Sequence, residues 1–258
     1  MNENELCRFL NHKVAQYQTP AFVEEDPISV PHQYSRLQDI EIAGLFSALF
    51  AWGRRSLILK KANFLMELMD NSPYSFIVHH EEKDLKRFLG FVHRTFNATD
   101  ILFLISFLRQ HYKKHASLEF AFCHHLERDD NSVEKALNGF YHCVFGENNS
   151  IRTKKHISAP FKKSACKRMN MFLRWMVRKD AEGIDFGIWK NIRPEQLVIP
   201  VDVHVYRVAV RLGLLSTKKT MNWKLALELT NKLKEFDPED PVKYDFALFG
   251  LGVIEKFK

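Results

Sequence analysis

Apolar positions recur along the chain at the three-to-four-residue spacing of helices rather than the alternation of strands. A first helix is predicted over Glu3–Tyr17, and the stretch TPAFVEEDPISVPHQY that follows, with its three prolines, reads as an extended connector. Ile42, Leu45, Phe46 and Leu49 then keep helical spacing until Trp52-Gly53 breaks it. Leu57, Ile58, Ala62, Leu65, Leu68 and Met69 resume the pattern up to the stop at NSP, so helix, tight turn, helix is expected. The middle of the chain continues with three helical runs: DILFLISFLRQHYKKH behind a cap at Thr99 or Asp100, SLEFAFCHHLER, and SVEKALNGFYHCVFG.

GENNSIRTKKHISAPFKKS is a polar, basic loop placed to face a ligand ahead of the next helix. That helix, SACKRMNMFLRWMVRKD, sets Met169, Phe172, Leu173 and Met176 on one face and Lys167, Met171, Arg174 and Arg178 on another, which predicts a cationic side. A connector leads to IPVDVHVYRVAVRLGLL, where Asp202 opens a helix and Gly213 suits a left-handed C-terminal cap. NWKLALELTNKLKEF and DPVKYDFALFGLGVIEKF supply two last helices. Only 10 Gly and 9 Pro in 258 residues leave little punctuation for a turn-rich β fold, so the expectation is mostly or entirely α.

Charge narrows the partner. The net charge of +7 favours contact with phosphate backbones or an anionic surface. The excess is concentrated: ten Lys and Arg fall between Arg152 and Lys179 before the first acid, Asp180. The four cysteines are scattered and the first residues are too polar and acidic for a signal peptide, so a cytoplasmic protein with reduced thiols is expected. No apolar run approaches the roughly 18 residues of a membrane span, and no membrane partner is expected.

Two residues draw chemical interest. Asp202 either caps its helix, as Asp often does, or supplies a carboxylate held ionised at a helix N-terminus, able to support developing positive charge or deprotonate a nucleophile. Lys167, between Cys166 and Arg168, is either a phosphate-contacting or solvated lysine or an amine nucleophile activated by neighbouring cations and partial burial. His111 and His115 lie four apart in HYKKH near Cys123, His124 and His125, but the pattern lacks the acid of a zinc protease, and no metal is expected.

VDVHVYRVAVRLGLL resembles the motif of the helix-hairpin-helix DNA glycosylase superfamily, with Val201, Asp202, His204, Val205, Arg207, Arg211, Leu212 and Gly213 in register. ACKRMNMFL is similar to the segment that carries the Schiff-base lysine of bifunctional members, which places Lys167 on that lysine. DIEIAGLFSALFAWGRRSLILKKANFLMELM resembles the early helix pair whose turn holds a residue wedged into opened duplex; Trp52 takes that place, with Arg54 and Arg55 beside it. The resemblance covers most of residues 39–258, and among the branches it is nearest to an uncharacterised bacterial family akin to archaeal 8-oxoguanine glycosylases.

This resemblance implies an all-α fold of two helical lobes with a cleft, residues 36–150 forming one lobe and 1–35 with 151–258 the other. It implies a monomer that acts on damaged duplex DNA, excising an oxidised purine such as 8-oxoguanine through Lys167 and Asp202, with or without strand cleavage. Contacts to nucleic acid are assigned to Trp52, Arg54, Arg55, Lys162, Lys163, Ser164, Arg168, His204, Arg207 and Arg211, and the base pocket to Trp175, Trp189, Asp245 and Phe249. ISAPFKKSACK keeps Pro160 but lacks the glycines that let hairpin amides approach a phosphate, so the hairpin is degenerate or replaced by Lys162, Lys163 and Ser164. No C-terminal four-cysteine cluster is present, so no iron–sulfur centre or other cofactor is expected. A non-catalytic nucleic-acid-binding relative and a helical interaction scaffold are the rival readings.

Overall fold

A computed structural model describes residues 1–146, 152–217 and 220–257, and the protein is mostly helical. The α-helices are α1 (Glu3–Tyr17), α2 (Pro20–Glu25), α3 (Leu37–Phe50), α4 (Arg55–Glu67), α5 (Pro73–His79), α6 (Ala98–Tyr112), α7 (Glu119–Cys123), α8 (Glu134–Phe145), α9 (Lys167–Val177), α10 (Val203–Arg211), α11 (Trp223–Lys234) and α12 (Tyr244–Val253). A short antiparallel hairpin, β1 (Val92–His93) and β2 (Phe96–Asn97), is not signalled by any run of alternating residues. Among the described residues no helix is long and apolar enough to cross a membrane.

The expected connector after α1 is instead α2 followed by 3₁₀ turns at Pro27–Ser29 and Pro31–Gln33. Each begins at a proline. The missing N–H costs nothing in a first turn and the fixed φ suits it, so these prolines start helical turns where the sequence pattern suggests breaks. The cap of α6 is Asn97, which forms a reciprocal capping box with Asp100. The expected caps at Asp202 and Gly213 are observed, the latter with φ +75°.

The chain divides into two compact units, Met1–Phe22 with Leu126–Asn138 and Ser158–Lys258, and Val23–His125 with Gly139–Ile157. The expected lobe boundary at 150 and 151 lies outside the described residues. In the second unit α3 is buried nearly all round, with Ile42, Ala43, Leu45, Phe46, Ala48 and Phe50 fully enclosed. Its one buried acid, Glu41, accepts bonds from Tyr112 Oη (3.0 Å), Ser117 Oγ (2.5 Å) and the Leu118 amide (3.0 Å), which offsets the cost of desolvating it. In the first unit α12 is the central helix and packs against α1 and α10. Small residues permit that approach: Gly250 lies under the Tyr17 ring, and a Cβ at Gly252 would sit 3.0 Å from that of His204.

Candidate active site at two helix N-termini

Lys167 and Asp202, 35 positions apart, meet within the first unit, Lys167 Nζ standing 3.2 Å from Asp202 Oδ2. Each lies at the start of a helix. Asp202 is the N-cap of α10, and its Oδ1 accepts the amides of His204 (2.9 Å) and Val205 (3.0 Å), so the cap uses one oxygen and the amine the other. Burial pushes the Asp202 carboxyl up, but the Lys167 ammonium and the two amides outweigh it and hold the group below its ordinary pKa. Both side chains remain partly open to solvent, 32% for Lys167 and 19% for Asp202.

Lys167 is the first residue of α9, and the approach to it is tightly bent. A 3₁₀ turn at Pro160–Lys162 precedes it, and Lys163 (φ +58°) and Cys166 (φ +52°) are left-handed. These two residues stand in conformations that usually favour glycine. Ser164 Oγ accepts the Cys166 amide at 3.1 Å, and buried Asn170 donates through Nδ2 to the Ala165 carbonyl at 3.2 Å. Burial pushes the Cys166 thiol up to about 11, so it is no competing nucleophile.

The cationic side expected for α9 is not a surface. Arg174 and Arg178 are buried and belong to an internal ion network. Arg174 Nε is 3.2 Å from Asp185 Oδ1, and its Nη1 pairs with Asp245 Oδ2 of α12. Arg178 reaches Asp185 (3.0 Å), Asp240 (2.9 Å) and Asp180 (3.6 Å). Helical spacing alone cannot distinguish a phosphate-facing stripe from one neutralised by acids brought in from the connector and α12. Apart from Asp245, these acids do not stand out as site residues in the sequence, although Asp180 and Asp185 come directly after the helix.

Two guanidiniums face four carboxylates in this network, so negative charge is in surplus. Burial first, against the pull of Arg174, raises the Asp245 carboxyl to about 6, and Asp202 and Asp185 add to the rise. Asp185 and Asp240 are raised for the same primary reason. Asp245 thus lies within electrostatic reach of both Lys167 and Asp202.

The aromatic pocket candidates divide. Trp175 and Trp189 are fully enclosed in the core of the first unit, Trp189 edge-on to Phe172 at 5.4 Å, so neither presents a face for stacking. Phe249 is half-buried and meets Phe22 edge-on at 6.3 Å. Lys163 and Arg207 are exposed, as is Lys162; Ser164, Arg168 and His204 are half-buried. Burial lowers the pKa of Arg168. Arg211 is exposed but donates to the Phe257 carbonyl at 2.8 Å. Trp52 and Arg54 are exposed in the turn between α3 and α4 of the second unit, and Arg55 pairs with Glu25 at 3.4 Å. Among the described residues no three His, Cys, Asp or Glu side chains converge as a metal-binding set.

A family model described as "Protein of unknown function (DUF2400)" matches residues 26–254, a span that includes the Lys167–Asp202 pair and the whole ion network. Comparison with curated proteins and with solved structures gives no match.

Proposed function

The chain belongs to the DUF2400 family. We propose that it is a DNA-repair glycosylase, with or without lyase activity, that excises an oxidised purine through Lys167 and Asp202. 8-Oxoguanine is the first substrate to test. The observation that carries this reading is the 3.2 Å approach of a partly exposed amine to a helix-capping carboxylate from a distant part of the chain. Catalytic groups must converge on one reacting atom, and a separation of 3.2 Å supports assigning this pair to one site.

In the proposed reaction the damaged nucleotide is flipped from the stack so that C1′ lies beside Lys167. Lys167, an ammonium in the resting pair, first gives one proton to solvent; the freed lone pair then forms the N–C1′ bond while the C1′–N9 bond breaks and its electron pair leaves with the base, which takes up a proton from the new C1′-bound ammonium. Asp202, held ionised, stabilises the positive charge that develops on the sugar. Opening of the C1′–O4′ bond gives an imine to the lysine nitrogen, and loss of a C2′ proton expels the 3′ phosphate. Base recognition falls to Asp245 and Phe249, and DNA binding to Trp52, Arg54, the 162–164 turn, His204 and Arg207.

A second reading, a nucleic-acid binder without chemistry, is favoured by one feature: the stretch ahead of α9 turns through left-handed Lys163 and Cys166 and lacks the glycines that let backbone amides approach a phosphate. Borohydride trapping on duplexes with single lesions separates the two. A covalent adduct present in the parent and absent in Lys167→Gln supports the glycosylase; absence of both adduct and released base across the panel rejects it in favour of the binder.

A further inference from the structure

The family match begins at residue 26, yet the segment ahead of it packs against α12, the helix to which base recognition is assigned. α12 is enclosed almost throughout. From Tyr244 to Leu251 every residue is buried except Phe249, which is half-buried.

α1 holds α12 along its length. Near the start, Tyr244 Oη donates to Asn11 Oδ1 at 3.3 Å. In the middle, a Cβ at Gly250 would run into the Tyr17 ring, so the helix gives up an ordinary side chain there to make room for an aromatic one. Just past the end, Glu255 accepts from Tyr17 Oη and pairs with the Lys13 ammonium.

The brace continues beyond α1. Gln18, its C-cap, accepts Arg178 Nη2 at 2.9 Å, which ties the turn to the end of α9. α2 starts two residues later, and the Phe22 amide donates to the Thr19 carbonyl at 2.9 Å. Phe22 is thereby set against α12, edge-on to Phe246 at 5.1 Å and to Phe249 at 6.3 Å. Phe246 in turn carries the Arg174 guanidinium 4.4 Å from its ring centroid, and the same Arg174 pairs with Asp245.

Phe22, Phe246, Phe249, Arg174 and Asp245 thus form one contiguous group, of which only Phe22 and Phe249 are not buried. Two half-buried rings at a steep angle beside a carboxylate make a fixed apolar edge next to a polar group, the combination that orients a flat heterocycle in a pocket.

We propose that Phe22 is a positioning residue for base recognition: it fixes the Phe249 ring, and α1 holds α12 in the place that this requires. The proposal rests on the glycosylase reading above, in which Asp245 and Phe249 meet the base. Its physical basis is preorganisation, since a ring already held in place loses less rotamer freedom when a base binds. Phe22 acts on the base-contacting ring and not on the reacting pair, so its loss falls on substrate binding rather than on the chemical step.

The test uses the full chain and duplexes with single lesions, 8-oxoguanine first, beside the undamaged duplex, in single-turnover excision. Phe22→Ala should raise the half-saturating concentration for the excised lesion by about 2- to 12-fold, the range of one aromatic pair, while the rate constant at saturation changes less than about twofold. Phe22→Tyr, which keeps the ring, should restore the parent value. In the unbound protein, Phe22→Ala should speed hydrogen exchange of α12 amides relative to those of α3 in the other unit. Glu255→Gln, an exposed site that keeps the core intact, should move exchange and half-saturation the same way by less.

A parent that excises the lesion while Phe22→Ala matches its half-saturation, a loss confined to the rate constant at saturation, or α12 exchange unmoved by both Phe22→Ala and Glu255→Gln would overturn the positioning role and leave the glycosylase reading standing. A parent that neither excises nor prefers any lesion of the panel would overturn the glycosylase reading, and the base-positioning role with it.

Discussion

At the residue scale, Asp202 combines two roles that substitution can separate. As an N-cap it satisfies two amides of α10, and as a charge it faces Lys167. Asn caps helices about as well as Asp, whereas Ala does not. Asp202→Asn should therefore keep most of the stability and lose turnover, while Asp202→Ala should lose about 0.5–2 kcal/mol from the cap as well. Urea unfolding and lesion excision, measured on both variants, check this; retained turnover in Asp202→Asn would remove the carboxylate's charge from the mechanism. The pH dependence follows from the sign of the shift. Because the folded-state pKa of Asp202 is depressed, its stabilisation is present above the ordinary carboxylate range and is lost as pH falls through the folded value.

At the element scale, α9 separates what sequence pattern reveals from what it leaves hidden. Its presence, its apolar face and the buried Phe172 were legible because helical period and core burial are local properties of the chain, whereas the expected run from Ser164 to Asp180 is shortened to Lys167–Val177 by the left-handed Cys166 at its start. Also legible were the cap at Asp202 and the turn at Trp52-Gly53. The fate of Arg174 and Arg178 was not legible, because it depends on Asp185, Asp240 and Asp245, which only the fold brings to α9. Arg94 was hidden for the same reason: nothing in a two-residue strand announces that its tip will lie on Trp52. The network between α9 and α12 also has its own pH signature. Asp245, raised to about 6, is protonated in the folded chain at pH values where the unfolded chain has already released the proton. Stability should therefore fall as pH rises from about 4 to 6, with a slope of up to about 1.4 kcal/mol per pH unit from this group. Asp245→Asn should flatten that stretch of the profile in denaturant titrations at a series of pH values; an unchanged slope would place the proton elsewhere in the network.

At the scale of the whole molecule, the net charge of +7 overstates some features and hides others. Part of the basic run from Arg152 to Lys179 is consumed internally, since Arg152 pairs with buried Asp100, and Arg174 and Arg178 with the network acids. Those cations carry no counterion-releasing capacity, whereas exposed Lys163 and Arg207 retain theirs. The salt dependence of DNA binding distinguishes the two classes, because the slope of log K against log salt falls by about 0.9 for every phosphate that the protein no longer neutralises. Lys163→Gln with Arg207→Gln should reduce the slope by about 1.8 on duplex DNA if both meet phosphates, and weaken binding to lesion-bearing and undamaged duplexes alike. A slope unmoved by the double substitution would mean that the surface around α9 and α10 does not carry the DNA backbone, and would turn attention to the cations around Trp52.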